Sequence, residues 1–230
     1  MKNITKHIIA SGGGGFGSNK NDLALERHIL KLTDKAQPNI CFLPQASKED
    51  SSYIVRFYET FLQLGAIPSH VSLFGSVSNA WKEQLLNQDI IYVGGGNTKS
   101  MIALWQAWKV DETLQQAYEK GVILCGVSAG AICWFKEGVT DSTKPLGVVT
   151  GLGILPGSLC PHFDTEKKRP QAYQNYMKNN LITPGIALED NTSAHFVDGR
   201  LFTILTTNKR KKSYTVTMDK QRPLSTTLIR

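Results

Sequence analysis

Short apolar runs, each closed by glycine or proline and followed by an amphipathic stretch, recur through residues 7–135. That alternation narrows the available folds more than any other feature. HIIAS (7–11) runs into four glycines, and NICFL (39–43) stops at Pro44, which has no N–H to continue a ladder. HVSLF (70–74), DIIYV (89–93) and VILCG (122–126) are three further β-rich runs. Between them the apolar spacing becomes helical. Asp22 can cap a helix over about Leu23–Thr33 carrying Leu23, Leu25, His28, Ile29 and Leu32. Ser51–Leu64 presents Ile54, Phe57, Tyr58, Phe61 and Leu62 on one face and ends at Gly65. Further helices are predicted at 79–86, 99–108, 111–120 and 129–135. Strand–helix alternation of this kind predicts an α/β fold, a doubly wound and mostly parallel sheet with helices on both faces.

The pattern changes after about residue 145. Glycine and proline loops surround 145–165, and a helix is expected at 170–179. Short strands follow at 185–189, 194–197, 201–205 and 214–218. Val197-Asp198-Gly199-Arg200 reads as a hairpin turn, because Asp-Gly accepts the positive φ angles of type I′. There is no repeat or linker, so the β-rich end is expected to complete one domain over 1–230, with 206–230 as a basic C-terminal strand or tail.

No apolar stretch reaches the roughly 20 residues needed to cross a bilayer, and the N-terminus lacks the pattern of a secretory signal. The expectation is a cytoplasmic protein with no membrane partner. Of the net +7, the segment from Asn208 onward holds +6, carried by seven cations against Asp219. Its run Lys209-Arg210-Lys211-Lys212 lacks interleaved aromatics, so a solvated basic edge is expected and nucleic acid is not a predicted partner. Cys41, Cys125, Cys133 and Cys160 show no metal-binding spacing and are expected as buried free thiols. Neither metal nor organic cofactor is called for.

The sharpest chemical signal is Gly126-Val127-Ser128-Ala129-Gly130, between a β-branched run and a helix. A G-x-S-x-G turn at such a junction lifts the serine hydroxyl above the sheet as a nucleophile. The helix N-terminus behind it would favour developing negative charge, and the Ala129 N–H is a natural oxyanion donor. Gly94-Gly95-Gly96-Asn97-Thr98 closes a neighbouring strand and exposes backbone N–H groups for an oxyanion or a substrate backbone. Gly12-x-Gly14-x-x-Gly17 formally matches a dinucleotide loop, but no clear acidic residue follows the second strand, so a turn or site wall is the expectation.

A serine nucleophile needs a base. Of the five histidines, His7, His28 and His70 read as packing or surface residues. His162 lies in the rigid loop Cys160-Pro161-His162-Phe163-Asp164. His195 is the rival, since Ser128, Asp190, His195 would follow the chain order of α/β-hydrolases. The carboxylate that orients the imidazole could be Glu137, Asp141, Asp164, Glu189 or Asp190.

Taken together, YVGGGNT (92–98), GVSAGAICW (126–134), GLGILPGSLCPHFD (151–164) and IALEDNTSAHFVDG (186–199) resemble the peptidase E family of serine peptidases, which includes aspartyl dipeptidases and is related to cyanophycinase. The resemblance implies a fold similar to class I glutamine amidotransferases, with serine in place of their cysteine. It implies Ser128 as nucleophile and His162 as base, with Gly96 and Ala129 as oxyanion donors and Gly95 and Asn97 beside them. Asp190 matches the third position best, with Glu189 and then Asp141 behind it. A dipeptidase removing N-terminal Asp needs a cation for the substrate carboxylate, and among Lys167, Lys168 and Arg169 the expected one is Arg169. The implied partner is a short peptide; a homodimer is compatible with the sequence. An esterase-like hydrolase using His195, and a non-catalytic module binding a small ligand through the glycine loops, are the rival readings.

Overall fold

The computed structural model describes residues 4–17, 22–75 and 77–230. The first three residues of the N-terminal segment considered for a signal therefore lie outside it.

Two sheets organise the chain. Strands β1 (His7–Ser11), β2 (Asn39–Leu43), β3 (Ile67–His70), β4 (Ile90–Val93) and β5 (Ile123–Val127) pair in parallel. Later strands join the same sheet. These are β10 (Thr192–Val197) and β11 (Arg200–Thr206), and β14 (Thr226–Leu228) at its edge. The resulting order is β14-β11-β10-β1-β5-β4-β2-β3, with β10 antiparallel to both β1 and β11. Strands β1, β2, β4 and β5 are nearly fully buried, as continuous apolar runs with helices on both faces should be.

The helices of this layer are α1 (Ala24–Lys31), α2 (Ser51–Gln63), α3 (Trp81–Leu86), α4 (Thr98–Trp108) and α5 (Val110–Glu119). Asp50 caps α2 by accepting the Tyr53 N–H at 2.8 Å, and Asn97 caps α4 by accepting the Ser100 N–H at 2.8 Å. One face of the sheet packs an aromatic cluster. Phe42 and Phe57 stack with centroids 4.6 Å apart, and Phe16, Phe61 and Tyr92 close around them.

The second sheet lies where sequence periodicity is weakest. A four-residue helix, α6 (Ala129–Ile132), leads into β6 (Phe135–Thr140), β7 (Gly147–Thr150) and β8 (Leu155–Cys160). Helix α7 (Arg169–Lys178), β9 (Gly185–Leu188), β12 (Ser213–Val216) and β13 (Gln221–Pro223) follow. The order is β13-β12-β9-β8-β6-β7. The helix expected over 129–135 thus ends early, and the loops expected over 145–165 contain two strands. The third strand lies at 67–70 rather than 70–74. The Asp-Gly hairpin is present as read: Val197 pairs with Arg200, and Asp198 (φ 49°) and Gly199 (φ 75°) both have positive φ.

Among the described residues, no helix is long and apolar enough to cross a membrane. All four cysteines are buried free thiols. Burial pushes Cys41 and Cys160 up to about 12, so neither is an available nucleophile.

Candidate active site

The parallel strands place five loops at their carboxyl ends, where open α/β sheets build their sites. Ser128 follows β5 with φ 55° and ψ −112°, a positive-φ conformation that is strained for a residue with a Cβ. The glycines around it serve a packing purpose. A Cβ on Gly126 would collide with the Gly130 carbonyl, and one on Gly130 would sit 2.8 Å from the Val93 Cβ. Glycine at both ends is what lets the turn close against β4 and hold Ser128 up. Because α6 has only four residues, its dipole adds little; the local N–H groups matter more than the helix.

The second sheet supplies the partners. Beyond β8, His162 (φ 141°) is held by two backbone bonds of its loop, Phe163 N–H to the Leu188 carbonyl at 3.2 Å and Glu166 N–H to its own carbonyl at 3.2 Å. Asp190 follows the neighbouring β9. His162 Nε2 lies 2.6 Å from Ser128 Oγ, and His162 Nδ1 lies 2.8 Å from Asp190 Oδ1. The other Asp190 oxygen accepts the Thr165 hydroxyl at 3.0 Å. Burial alone would raise the Asp190 carboxyl. The His162 hydrogen bond and charge, the Thr165 hydroxyl and Lys211 outweigh it and hold the pKa below the ordinary aspartate value. The carboxylate can therefore accept from Nδ1–H, and in the neutral imidazole that tautomer leaves Nε2 to accept from serine.

Support continues one layer further. The Asp190 N–H donates to Asp164 Oδ1 at 3.0 Å, and Asp164 is paired with Lys211. Part of the basic run thus faces inward, toward the site, rather than forming a wholly solvated edge. Sequence reading passed over Thr165, which lies in no motif, and took Lys211 only as part of the solvated basic edge.

Gly13, in the first glycine loop, packs flat against the acid–base pair. A Cβ there would lie 2.8 Å from both Asp190 Cγ and His162 Cε1. This loop is a wall of the site. In the second loop, Gly95 borders Ser128 most closely, with an added Cβ 3.4 Å from the Ser128 Cβ. Gly96 (φ 140°) presses its Cα against the backbone of Ala46 and Ser47. Ala129 is the first residue of α6, a position whose N–H has no intrahelical acceptor.

Several other expectations need correction. Arg169 is 1% exposed; its guanidinium binds Glu166 at 2.8 and 3.1 Å and the Val139 carbonyl at 2.6 Å. Its donors are engaged inside the protein, and it is not among the residues that line the Ser128 cleft. The Asn97 side chain caps α4 and donates to the Ser142 carbonyl at 3.4 Å, and it is not among the residues that line the Ser128 cleft. His195 is buried and lies 3.0 Å from His7 through Nε2, in a cluster with His28. Burial and the two neighbouring imidazoles depress it to about 4. It is not in the Ser128 cleft. Glu189 accepts the Lys212 N–H and the Tyr214 hydroxyl, and Asp141 is exposed beside Arg169, so neither meets His162.

A cavity of about 330 Å³ opens over Ser128 and His162, walled by Gly13, Tyr53, Arg56 and Gly95. Tyr53 and Arg56, both on α2, were not singled out in the sequence, where they read as part of an amphipathic helix.

Residues 8–204 match the model of peptidase family S51. The chain belongs to this family. It is 45% identical over 213 residues, 93% of each chain, to YgaJ of Bacillus subtilis (strain 168), an uncharacterized peptidase. A second relative is the uncharacterized peptidase PM1590 of Pasteurella multocida (strain Pm70). It is 31% identical over 99 residues, covering 41% of this chain and 46% of the relative. Among solved structures, a peptidase from an acI-B1 Actinobacterium superposes with TM-score 0.72 at 15% identity, covering 99% of this chain and 97% of that one. A protein assigned to peptidase E from Listeria monocytogenes EGD-e superposes with TM-score 0.63 at 16% identity, covering 86% and 97%. The S51 match and the peptidase relatives make this chain a serine-type peptidase, and the structural likenesses bear out the α/β fold expected of it.

Proposed function

We propose that this S51 peptidase is cytosolic and hydrolyses short peptides, Asp-X dipeptides first among them, by a Ser128–His162–Asp190 mechanism through an acyl-enzyme. The observation that carries the reading is the unbroken line from Ser128 Oγ to His162 to Asp190, at 2.6 and 2.8 Å. Ser128 attacks the scissile carbonyl while His162 Nε2 takes its proton. Asp190 fixes the imidazole tautomer and stabilises the imidazolium. The amides of Ala129 and of the Gly95–Gly96 loop receive the oxyanion. His162 then protonates the leaving amine, and water, activated by the same imidazole, releases the acid.

The size of the cavity favours a small substrate. About 330 Å³ is near the lower end of the roughly 300–1,000 Å³ found for small-ligand sites. Release of amino acids from Asp-X, Glu-X, Ala-X and Leu-X dipeptides, by wild type beside Ser128→Ala, tests the reading. Turnover should disappear in the variant while its thermal unfolding stays cooperative. An active Ser128→Ala protein would exclude the mechanism.

A further inference from the structure

The cleft over Ser128 contains one permanently charged side chain among the described residues, Arg56. It is placed on a rigid support. Its neighbour Phe57 is fully buried and stacks on Phe42, and one turn on, Phe61 is also fully buried, so α2 is pinned to the sheet. The guanidinium lies 5.4 Å from the Tyr53 ring centroid, an arrangement that holds its plane beside the cleft.

Its hydrogen-bonding capacity is largely unused. Nη1 donates to the Ser52 hydroxyl at 3.3 Å, while Nε is buried with no partner. Among the described residues, no carboxylate forms an ion pair with it. The contrast with the other cations near the site is sharp: Arg169 is held by Glu166, and Lys211 by Asp164. A planar fork with a buried, unmatched N–H, beside a nucleophile and linked to the exposed Asp50 carboxylate only through the Ser52 hydroxyl and charge at a distance, is suited to a carboxylate from outside.

We infer that Arg56 is a specificity-determining residue that binds a carboxylate of the substrate across the cleft from Ser128. The inference rests on Ser128 being the nucleophile of the proposed reaction. Two carboxylates are available in a dipeptide, the acidic side chain and the C-terminus, and they share this recognition chemistry.

The experiment follows labelling of Ser128 by a neutral fluorophosphonate probe. Protection is measured with Asp-Leu, Asp-Leu amide, Ala-Leu and Ala-Leu amide, each normalised to the labelling rate of the same protein. In wild type, carboxylate-bearing peptides should protect about tenfold to a hundredfold better than Ala-Leu amide, the range for a charge-assisted hydrogen bond. Asp-Leu amide and Ala-Leu separate the side-chain carboxylate from the terminal one. In Arg56→Gln that advantage should collapse, and Arg56→Lys should restore part of it, as charge without the fork. The proposal is overturned if all four peptides protect wild type equally, or if the advantage persists in Arg56→Gln. It is also overturned if Arg56→Gln weakens protection by the neutral peptide to the same extent. Failure of wild type to label at all would instead remove the serine hydrolase reading, and this proposal with it.

Discussion

Adding one methyl group at Gly13 should remove most of the activity while leaving the fold in place. The Gly13 φ lies outside the left-handed region that disfavours alanine, so the effect comes from contact. The new Cβ would stand 2.8 Å from both Asp190 Cγ and His162 Cε1, and nearer still to Asp190 Oδ1. Carbon atoms pack at about 3.5–4.0 Å, so the acid–base pair must retreat by about 1 Å. Both ends of that pair are tied, Asp190 to Thr165 and to the Asp164 carboxylate through its N–H, His162 to Ser128. A shift that clears the methyl therefore stretches the 2.6 Å link to Ser128 or the 2.8 Å link to Asp190.

A misplacement of about 1 Å costs on the order of a hundredfold in rate. The measurement is kcat/KM on a cleaved peptide together with the fluorophosphonate labelling rate, with thermal unfolding of the same samples. Gly13→Ala should lose about a hundredfold in both rates while unfolding within a few degrees of wild type. Gly12→Ala makes an informative contrast. Its Cβ would stand 2.6 Å from the Glu189 carbonyl oxygen and 2.8 Å from the Leu188 Cβ, so it should lose stability rather than activity alone. A Gly13→Ala enzyme within threefold of wild type would refute the idea that this loop sets the position of His162 and Asp190.

Two further outcomes follow from the charges. Asp190→Asn keeps the shape but not the tautomer control, and should lower kcat by about 10³–10⁴-fold without loss of fold; kcat within tenfold of wild type would assign the orienting role elsewhere. The His7–His28–His195 cluster should make the fold acid-sensitive. His195 is depressed to about 4 from 6.5, so the unfolded chain takes up the proton first, and stability present above pH 6.5 is lost as pH falls toward 4. The loss from this residue is about 3 kcal/mol, read from urea unfolding at successive pH values. His195→Asn should flatten that part of the profile, and an unaltered profile would place the acid sensitivity in other groups.

Much of the first sheet was legible because its residues obey one rule. Strands β1, β2, β4 and β5 are apolar runs ended by glycine or proline, and burial on both faces permits no other composition. The elbow was legible for a related reason: only glycine fits beside Val93 and Gly130, so the packing constraint is written directly into Gly126-Val127-Ser128-Ala129-Gly130. The second sheet was less visible. Its β6, FKEGVT, and β8, LPGSLC, mix charge, glycine and proline with apolar residues, because each is exposed over part of its length and buried over the rest. Those patterns look like loop or short helix in sequence.

The difference between Arg169 and Arg56 shows where motif reasoning reaches its limit. Arg169 stands close to His162 in sequence, in a run of three cations, and proximity suggested a substrate ligand. That run instead opens α7, and Glu166, three residues earlier, takes the guanidinium at 2.8 Å inside the protein. Arg56 is 72 residues from Ser128 along the chain, yet both line one cleft. What unites them is the parallel β2–β4–β5 order: α2 starts just beyond the carboxyl end of β2, two strands from the elbow that follows β5. A triad can be read from motifs because its members need fixed local turns. A specificity residue needs only the right place on a surface, and that place is set by how the helix packs: Phe57 and Phe61, facing the core, decide where Arg56 must point.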